Sequence, residues 1–216
     1  MSRPIIVYGA GGFAREVAWL VEQCGEGGQG MVLVAFVDDA VERQGETLNG
    51  LPVLSLADAA KRWPGAGVLV AVGDPAVRER LAKRAVESGL ALATAIHPRV
   101  ERSKWVEVGA GTVICAGTIL TTNIVLGEGV QVNLDCTIGH DVVLGAYATL
   151  APGVHVSGCV QIGAGAYLGT GATVINGTAA KPLVIGANAV IGAGACVTKD
   201  VPSGVTVVGI PAKPRG

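Results

Sequence analysis

The sequence predicts a two-domain chain: an α/β N-terminal domain of Rossmann-like order over residues 1–97, and an all-β coil of short stacked strands over residues 98–216. Three observations predict it. The first half alternates short β-branched apolar runs with amphipathic helical segments, the pattern of a small parallel sheet. The second half places an aliphatic residue at every sixth position. Glycine contributes 33 of the 216 residues without a collagen triplet, as a chain with many tight turns requires.

In the first half, Ile5–Tyr8 reads as a strand, followed by the glycine-rich turn Gly9–Ala14 and a helical segment over Arg15–Glu22. Val32–Val37 is a second strand ending in Asp38 and Asp39, and Leu56–Trp63 is a short helix. Val68–Val72 is a third strand, closed by Gly73-Asp74-Pro75. Pro75–Ser88 is an amphipathic helix stopped by Gly89, and Leu92–Ile96 is a last strand. His97-Pro98 hands the chain over to the second domain, with His97 read as structural.

Gly9-x-Gly11-x-x-Ala14, after a strand and before a helix, fits a phosphate-binding turn, since glycine permits close backbone approach and a helix N-terminus favours anions. NAD, a phosphate-bearing sugar nucleotide and a purely structural turn are the three readings. The α/β region spans only half of a dinucleotide fold, which favours the sugar nucleotide. Asp38 and Asp39 are either hydrogen-bond acceptors for base or ribose, or a solvated turn at the strand end.

In the second half the aliphatic series runs Val108, Ile114, Leu120, Leu126, Val132, Ile138, Leu144, Leu150, Val156, Ile162, Leu168 and Val174. It breaks across Asn176–Leu183 and resumes at Ile185, Ile191 and Val197. Helices and ordinary strands have side-chain periods of about 3.6 and 2, so neither produces this phase. Straight segments joined at corners do, each turning one aliphatic residue inward. The pattern resembles the left-handed parallel β-helix of hexapeptide-repeat acyltransferases. The resemblance implies a triangular coil of three hexads and a corner loop at the phase break.

His140 follows an inward aliphatic residue by two positions, which sets it near a corner and pointing outward, beside Asp141. Histidine is the natural general base near neutral pH, and a neighbouring carboxylate fixes its tautomer and stabilises the imidazolium. A solvated corner histidine is the plain alternative. On the three-hexad coil, Gly158 stacks on His140, leaving a slot beside the ring and a backbone N–H for an acyl oxygen. His155 falls in an outward phase with no chemistry assigned.

From the glycine-rich turn to Gly209-Ile-Pro-Ala-Lys213, the whole chain resembles the sugar acyltransferases grouped with sialic acid O-acetyltransferases. Within that group its layout is similar to the N-acetyltransferases of nucleotide-linked 4-amino-4,6-dideoxy sugars. The resemblance implies acetyl-CoA as co-substrate, His140 as base with Asp141 behind it, and a homotrimer with acetyl-CoA between subunits. It assigns Gly11, Gly12, Phe13, Asp38, Asp39 and Gly73 to the nucleotide sugar. It assigns Gly158, Thr149, Gly192, Lys199 and Lys213 to acetyl-CoA. Some relatives carry histidine where this chain has Phe13 and Thr149. Acetylation of a sugar hydroxyl, such as that of sialic acid, and a non-catalytic nucleotide-binding scaffold are the competing functions.

A net charge of −1 excludes the basic face of a nucleic-acid-binding protein. No apolar run is long enough for a membrane span, and the N-terminus lacks a signal-peptide pattern, so a cytoplasmic enzyme is expected. The five cysteines form no C-x-x-C pair and read as reduced thiols, and no metal site is expected.

Overall fold

The computed structural model describes residues 2–215 and divides into two compact units, Met1–Pro98 and Arg99–Gly216. The first unit holds β1 (Arg3–Tyr8), α1 (Gly12–Cys24), β2 (Met31–Val37), β3 (Thr47–Leu48), β4 (Leu51–Leu54), α2 (Leu56–Arg62), β5 (Gly67–Val70), α3 (Pro75–Glu87) and β6 (Ala91–Leu92). The strand order is β3-β4-β2-β1-β5-β6, with every pairing parallel except the β3–β4 hairpin. Counting parallel strands alone, this is the Rossmann order, reversing direction between β1 and β5.

Local chemistry sets the boundaries. Asp74 caps α3 by accepting the Val77 N–H at 2.9 Å, Pro75 opens the helix, and Gly89 at φ +85° ends it. Ser55 caps α2 through the Asp58 N–H. The helix expected from Arg15 begins at Gly12, because glycine can enter the first turn without a side-chain cap. The Asn49-Gly50 turn makes the β3–β4 hairpin, which the sequence reading passed over. The single strand expected over Leu92–Ile96 is two short ones, Ala91–Leu92 and Ala95–Ile96. His97 is buried, with its ring 5.4 Å from that of Trp19.

The second unit is a parallel β-helix of three sheets. One contains Gln131–Val132 and Thr149–Leu150, the second Thr137–Ile138 and His155–Val156, the third Val125–Leu126 and Val143–Leu144. As far as Val156, each paired strand residue meets the one 18 positions on, as in Ile138 with Val156 and Leu144 with Ile162. The aliphatic series is buried from Ile114 through Val174, and Val108, on the first coil, is half-buried. Inward polar side chains bond carbonyls of the adjoining coil: Thr118 Oγ1 donates to Asn133 O at 3.0 Å and Asn133 Nδ2 to Leu150 O at 2.7 Å. Ile162 pairs with Ile185, an offset of 23 in place of 18, so the phase break is a loop of five extra residues.

The glycine after the inward aliphatic residue is demanded by the close approach of coils. A Cβ at Gly145 would lie 2.9 Å from Ala164 Cα and 2.9 Å from the Gly163 carbonyl carbon, both backbone atoms. Gly145→Ala is therefore expected to cost about 1–3 kcal/mol and lower the thermal midpoint by roughly 3–10 °C. Gly73→Ala, with nothing within 4 Å of its Cβ, serves as control and is expected to shift it by less than about 2 °C. Calorimetry of the two variants checks this.

Candidate active site

His140 and Asp141 occupy one corner of the β-helix, just after the strand Thr137–Ile138. Asp141 has a left-handed backbone, φ +57°, and its N–H donates to Thr122 O at 3.2 Å, which locks the corner to the coil beneath. His140 Nδ1 and Asp141 Oδ2 are 2.8 Å apart, and Asn123 Nδ2 donates to Asp141 Oδ1 at 3.3 Å. These bonds, that from His140 first, hold the Asp141 carboxyl below the usual carboxylate range. An ionised carboxylate only accepts, so in the neutral ring Nδ1 carries the proton and Nε2 carries the lone pair. The two side chains are 59% and 52% exposed, and of the ring atoms Nε2 lies nearest to where a Cβ of Gly158 would stand.

The imidazole lies over Gly158. A Cβ there would fall 2.6 Å from His140 Cε1 and 2.8 Å from Cδ2. The slot expected beside the ring is thus filled by the ring itself: Gly158 lets the imidazole lie flat on the next coil. The Gly158 carbonyl accepts from Gly177 N–H at 3.0 Å, while its own N–H donates to no group among the described residues. An unused backbone donor next to an imidazole is an arrangement that can receive a developing oxyanion. The next residue, Cys159, is buried and donates its N–H to His140 O at 2.9 Å. Sequence reading missed Asn123 and Cys159, although both share Asp141's corner three hexads to either side.

The first unit collects its candidate residues at the strand reversal. The turn after β1 brings Gly11 and Gly12 to the start of α1, exposed and without close neighbours, with Phe13 half-buried behind them. Gly9 is the turn's structural glycine: its φ is +124°, and a Cβ would lie 2.9 Å from Ala71 O. Gly73 is exposed after β5, and its carbonyl accepts from Arg78 Nη1 at 3.2 Å. Arg78, only 1% exposed, also donates to Val72 O at 3.0 Å, so a buried guanidinium shapes this loop. Nothing in the helical spacing of Arg78 announced that role.

Asp38 and Asp39 are not two free acceptors. Asp38 Oδ1 accepts the Ala40 N–H at 2.9 Å, an Asx turn. Asp39 accepts from Tyr8 Oη at 2.8 Å and from Arg84 Nη1 at 2.5 Å and Nη2 at 3.1 Å. Burial raises the Asp39 pKa, but Arg84 and Tyr8 outweigh it and hold the carboxyl low. Burial and Asp39 together push the Tyr8 phenol above its ordinary range. Asp39 and Arg84 border an open groove of about 460 Å³, with Gln44 and Ser55 on its wall.

Toward the end of the coil, Lys199 and Lys213 are exposed and line a cavity of about 250 Å³ with Pro211 and Pro214. Lys199 also borders a groove of about 560 Å³ formed by the corner loop Asn176–Pro182. Gly192 is a stacking glycine, since a Cβ would meet Val208 Cγ1 at 2.7 Å. Thr149, expected to meet acetyl-CoA, is 2% exposed in a strand between Gln131 and Tyr167. His155 is exposed, with Nδ1 2.8 Å from Thr137 Oγ1.

A parallel β-helix of hexapeptide repeats with a histidine–aspartate pair at one corner defines the class of hexapeptide-repeat acyltransferases, whose coil is left-handed. Residues 4–85 match the family model described as the PglD N-terminal domain. Over 214 residues the chain is 35% identical to GDP-perosamine N-acetyltransferase of Escherichia coli O157:H7, covering 96% of this chain and 94% of that one. Its fold matches a histidine-to-asparagine variant of perosamine N-acetyltransferase from Caulobacter crescentus in complex with CoA and GDP-perosamine. That match has a TM-score of 0.89 and 30% identity and covers 99% of this chain and 97% of that one. The acetyltransferase domain of PglB from Neisseria gonorrhoeae FA1090, in complex with acetyl coenzyme A, matches with TM-score 0.88 and 33% identity over 100% of both chains. The chain belongs to the nucleotide-sugar 4-amino N-acetyltransferases of the hexapeptide-repeat superfamily. No helix among the described residues is long and apolar enough to cross a membrane.

The Asp39–Arg84 pair makes stability depend on acid. A carboxyl whose folded pKa is lowered adds stability that is complete above its unfolded value and is lost as pH falls through the folded one. Arg84→Met is expected to unfold at a lower temperature than wild type at neutral pH. The gap closes as the pH drops below the ordinary aspartate value of about 3.9. Thermal unfolding across that range, followed by circular dichroism, checks the sign.

Proposed function

We propose that this enzyme transfers acetyl from acetyl-CoA to the 4-amino group of GDP-perosamine or a UDP-linked 4-amino-4,6-dideoxy sugar, with His140 as general base. The observation that carries the reading is the 2.8 Å contact between His140 Nδ1 and Asp141, with the imidazole lying over Gly158. The acceptor follows from the relatives, of which one is named for GDP-perosamine and another is bound to it.

The unprotonated amine attacks the thioester carbonyl, and its nitrogen bonds to the acyl carbon. His140 Nε2 takes the proton that the nitrogen sheds, and Asp141 stabilises the resulting imidazolium. The carbonyl oxygen gathers negative charge and meets the Gly158 N–H, the kind of donor worth roughly 3 kcal/mol. Collapse of the intermediate breaks the carbon–sulfur bond, expels the CoA thiolate and leaves the amide. Acetyl-CoA is the co-substrate, and Lys199 and Lys213 answer its phosphates. In the first unit, Gly11, Gly12 and the start of α1 receive the nucleotide phosphates. Phe13, Asp38, Asp39 and Gly73 line the remainder, with the Tyr8–Asp39–Arg84 cluster holding Asp39 in place. The reading carries with it a cytoplasmic homotrimer.

The test is acetyl transfer to a panel of GDP- and UDP-linked 4-amino sugars and to sialic acid. One amino sugar should be acetylated rapidly. His140→Ala should stay folded and lose about 10²–10⁴-fold in kcat. Gly158→Ala, whose methyl displaces the ring, should lose about 10²-fold while unfolding near the wild-type temperature. Undiminished turnover in His140→Ala would remove the proposed base. Acetylation of sialic acid in place of every amino sugar would overturn the acceptor.

A further inference from the structure

The catalytic corner holds one group that the acetyl-transfer chemistry leaves unused. Cys159 sits three hexads beyond Asp141, in the same left-handed conformation, φ +57° for both. Left-handed backbone costs an L-residue about 1–2 kcal/mol, and only asparagine and aspartate recover part of it through local hydrogen bonds. The other two corner columns mostly use glycine, as at Gly117, Gly129, Gly153, Gly165 and Gly171. At its left-handed positions this column reads Asn123, Asp141 and Cys159. Its side chains consequently converge: a ring nitrogen of His140, a carboxylate oxygen of Asp141 and the Cys159 Sγ all lie within 4.8 Å of one another.

We propose that His140, Asp141 and Cys159 form a binding site for a borderline-soft divalent cation, zinc above all, and that occupation of this site shuts the enzyme off. Imidazole nitrogen, thiolate and carboxylate are the ligands zinc takes, and three protein ligands leave its fourth position for water. Magnesium and calcium, which take oxygen donors, are poorly served by this set. His140 and Asp141 are more than half exposed, so a cation reaches them from solvent, while Cys159 is buried and forms the floor. Zinc bonds of about 2.0–2.3 Å put ligand atoms roughly 3.3–3.7 Å apart, so the trio closes by about 1 Å through side-chain rotation. As the metal–sulfur bond forms, the Cys159 thiol releases its proton to solvent, and His140 binds through a neutral-ring lone pair. If that lone pair is the one that takes the amine proton, zinc blocks acetyl transfer without any part in it. Inhibition therefore rests on His140 as base, whereas binding does not.

The test uses the full chain freed of metal, with Co²⁺ and Zn²⁺ as probes. Wild type should take up one Co²⁺ per chain with a thiolate-to-cobalt charge-transfer band that Zn²⁺ abolishes. Zn²⁺ should inhibit formation of the acetylated sugar, and Mg²⁺ should not. Cys159→Ala and the size-conserving Cys159→Ser should keep the metal-free turnover, lose the band and need at least about 10-fold more Zn²⁺ for half inhibition. No band in wild type, or the same band and inhibition in both variants, overturns the site. A band that depends on Cys159 without inhibition keeps the site and overturns His140 as the base.

Discussion

Coil-to-coil backbone pairing, at an offset of 18 residues up to the corner loop, is the constraint on which the C-terminal unit depends. Amides such as Gly139 N–H and Gly145 N–H bond the carbonyls of Val156 and Ile162 on the next coil at 2.8 and 2.7 Å. That ladder leaves no freedom in how far apart the coils sit. It makes the inward aliphatic residues one continuous column, and it forces glycine where backbone would meet a Cβ. It also turns sequence spacing into spatial contact. His140 meets Gly158 and Asp141 meets Cys159 because each pair is 18 positions apart, not because those residues attract one another.

The same ladder explains why chemistry sits at a corner. Outward side chains of the flat faces form open rows, such as Val125 and Val143 along one sheet. At a corner the chain reverses direction, and a left-handed residue aims its side chain across the coil edge. Asn123 and Asp141 thus come within 3.3 Å, although 18 residues apart. The backbone of this corner is costlier than a glycine corner would be, and the return is a fixed geometry. Asp141 is tethered by Asn123 and by Thr122 O, so the carboxylate that bonds His140 Nδ1 is held in place.

The β-helix was legible in the sequence because period six belongs to no other backbone. Ile114 to Val174 keeps one phase, and residues 176–183 break it where five residues form the loop. The stacking of His140 on Gly158 was legible through the same register. The details were not. That the imidazole fills the slot over Gly158 depends on a rotamer, and the burial of Thr149 depends on what covers its strand, which no periodicity records. In the first unit, the glycine-rich turn and the strand ends were readable because turns use particular residues. The Tyr8–Asp39–Arg84 cluster joins positions 31 and 45 residues apart, and Arg78 looks like any charged residue on an amphipathic helix until its burial is seen. Local chemistry marks loops and caps, whereas non-local pairing of polar groups leaves no trace in spacing.

Two aspartates are held below the ordinary carboxylate range, and only one of them bonds a histidine. A lowered carboxyl alone does not mark catalysis, because any ion pair produces it. What separates the two is the partner's remaining capacity. Arg84 spends two nitrogens on Asp39 and has no lone pair to offer, so that pair holds a wall of the groove. His140 spends Nδ1 on Asp141 and keeps Nε2, which in that tautomer accepts a proton. The carboxylate therefore does different work in the two units: in one it neutralises a permanent cation, and in the other it fixes which nitrogen of an ambivalent ring keeps the lone pair. The Gly158 N–H beside that ring donates to no group among the described residues.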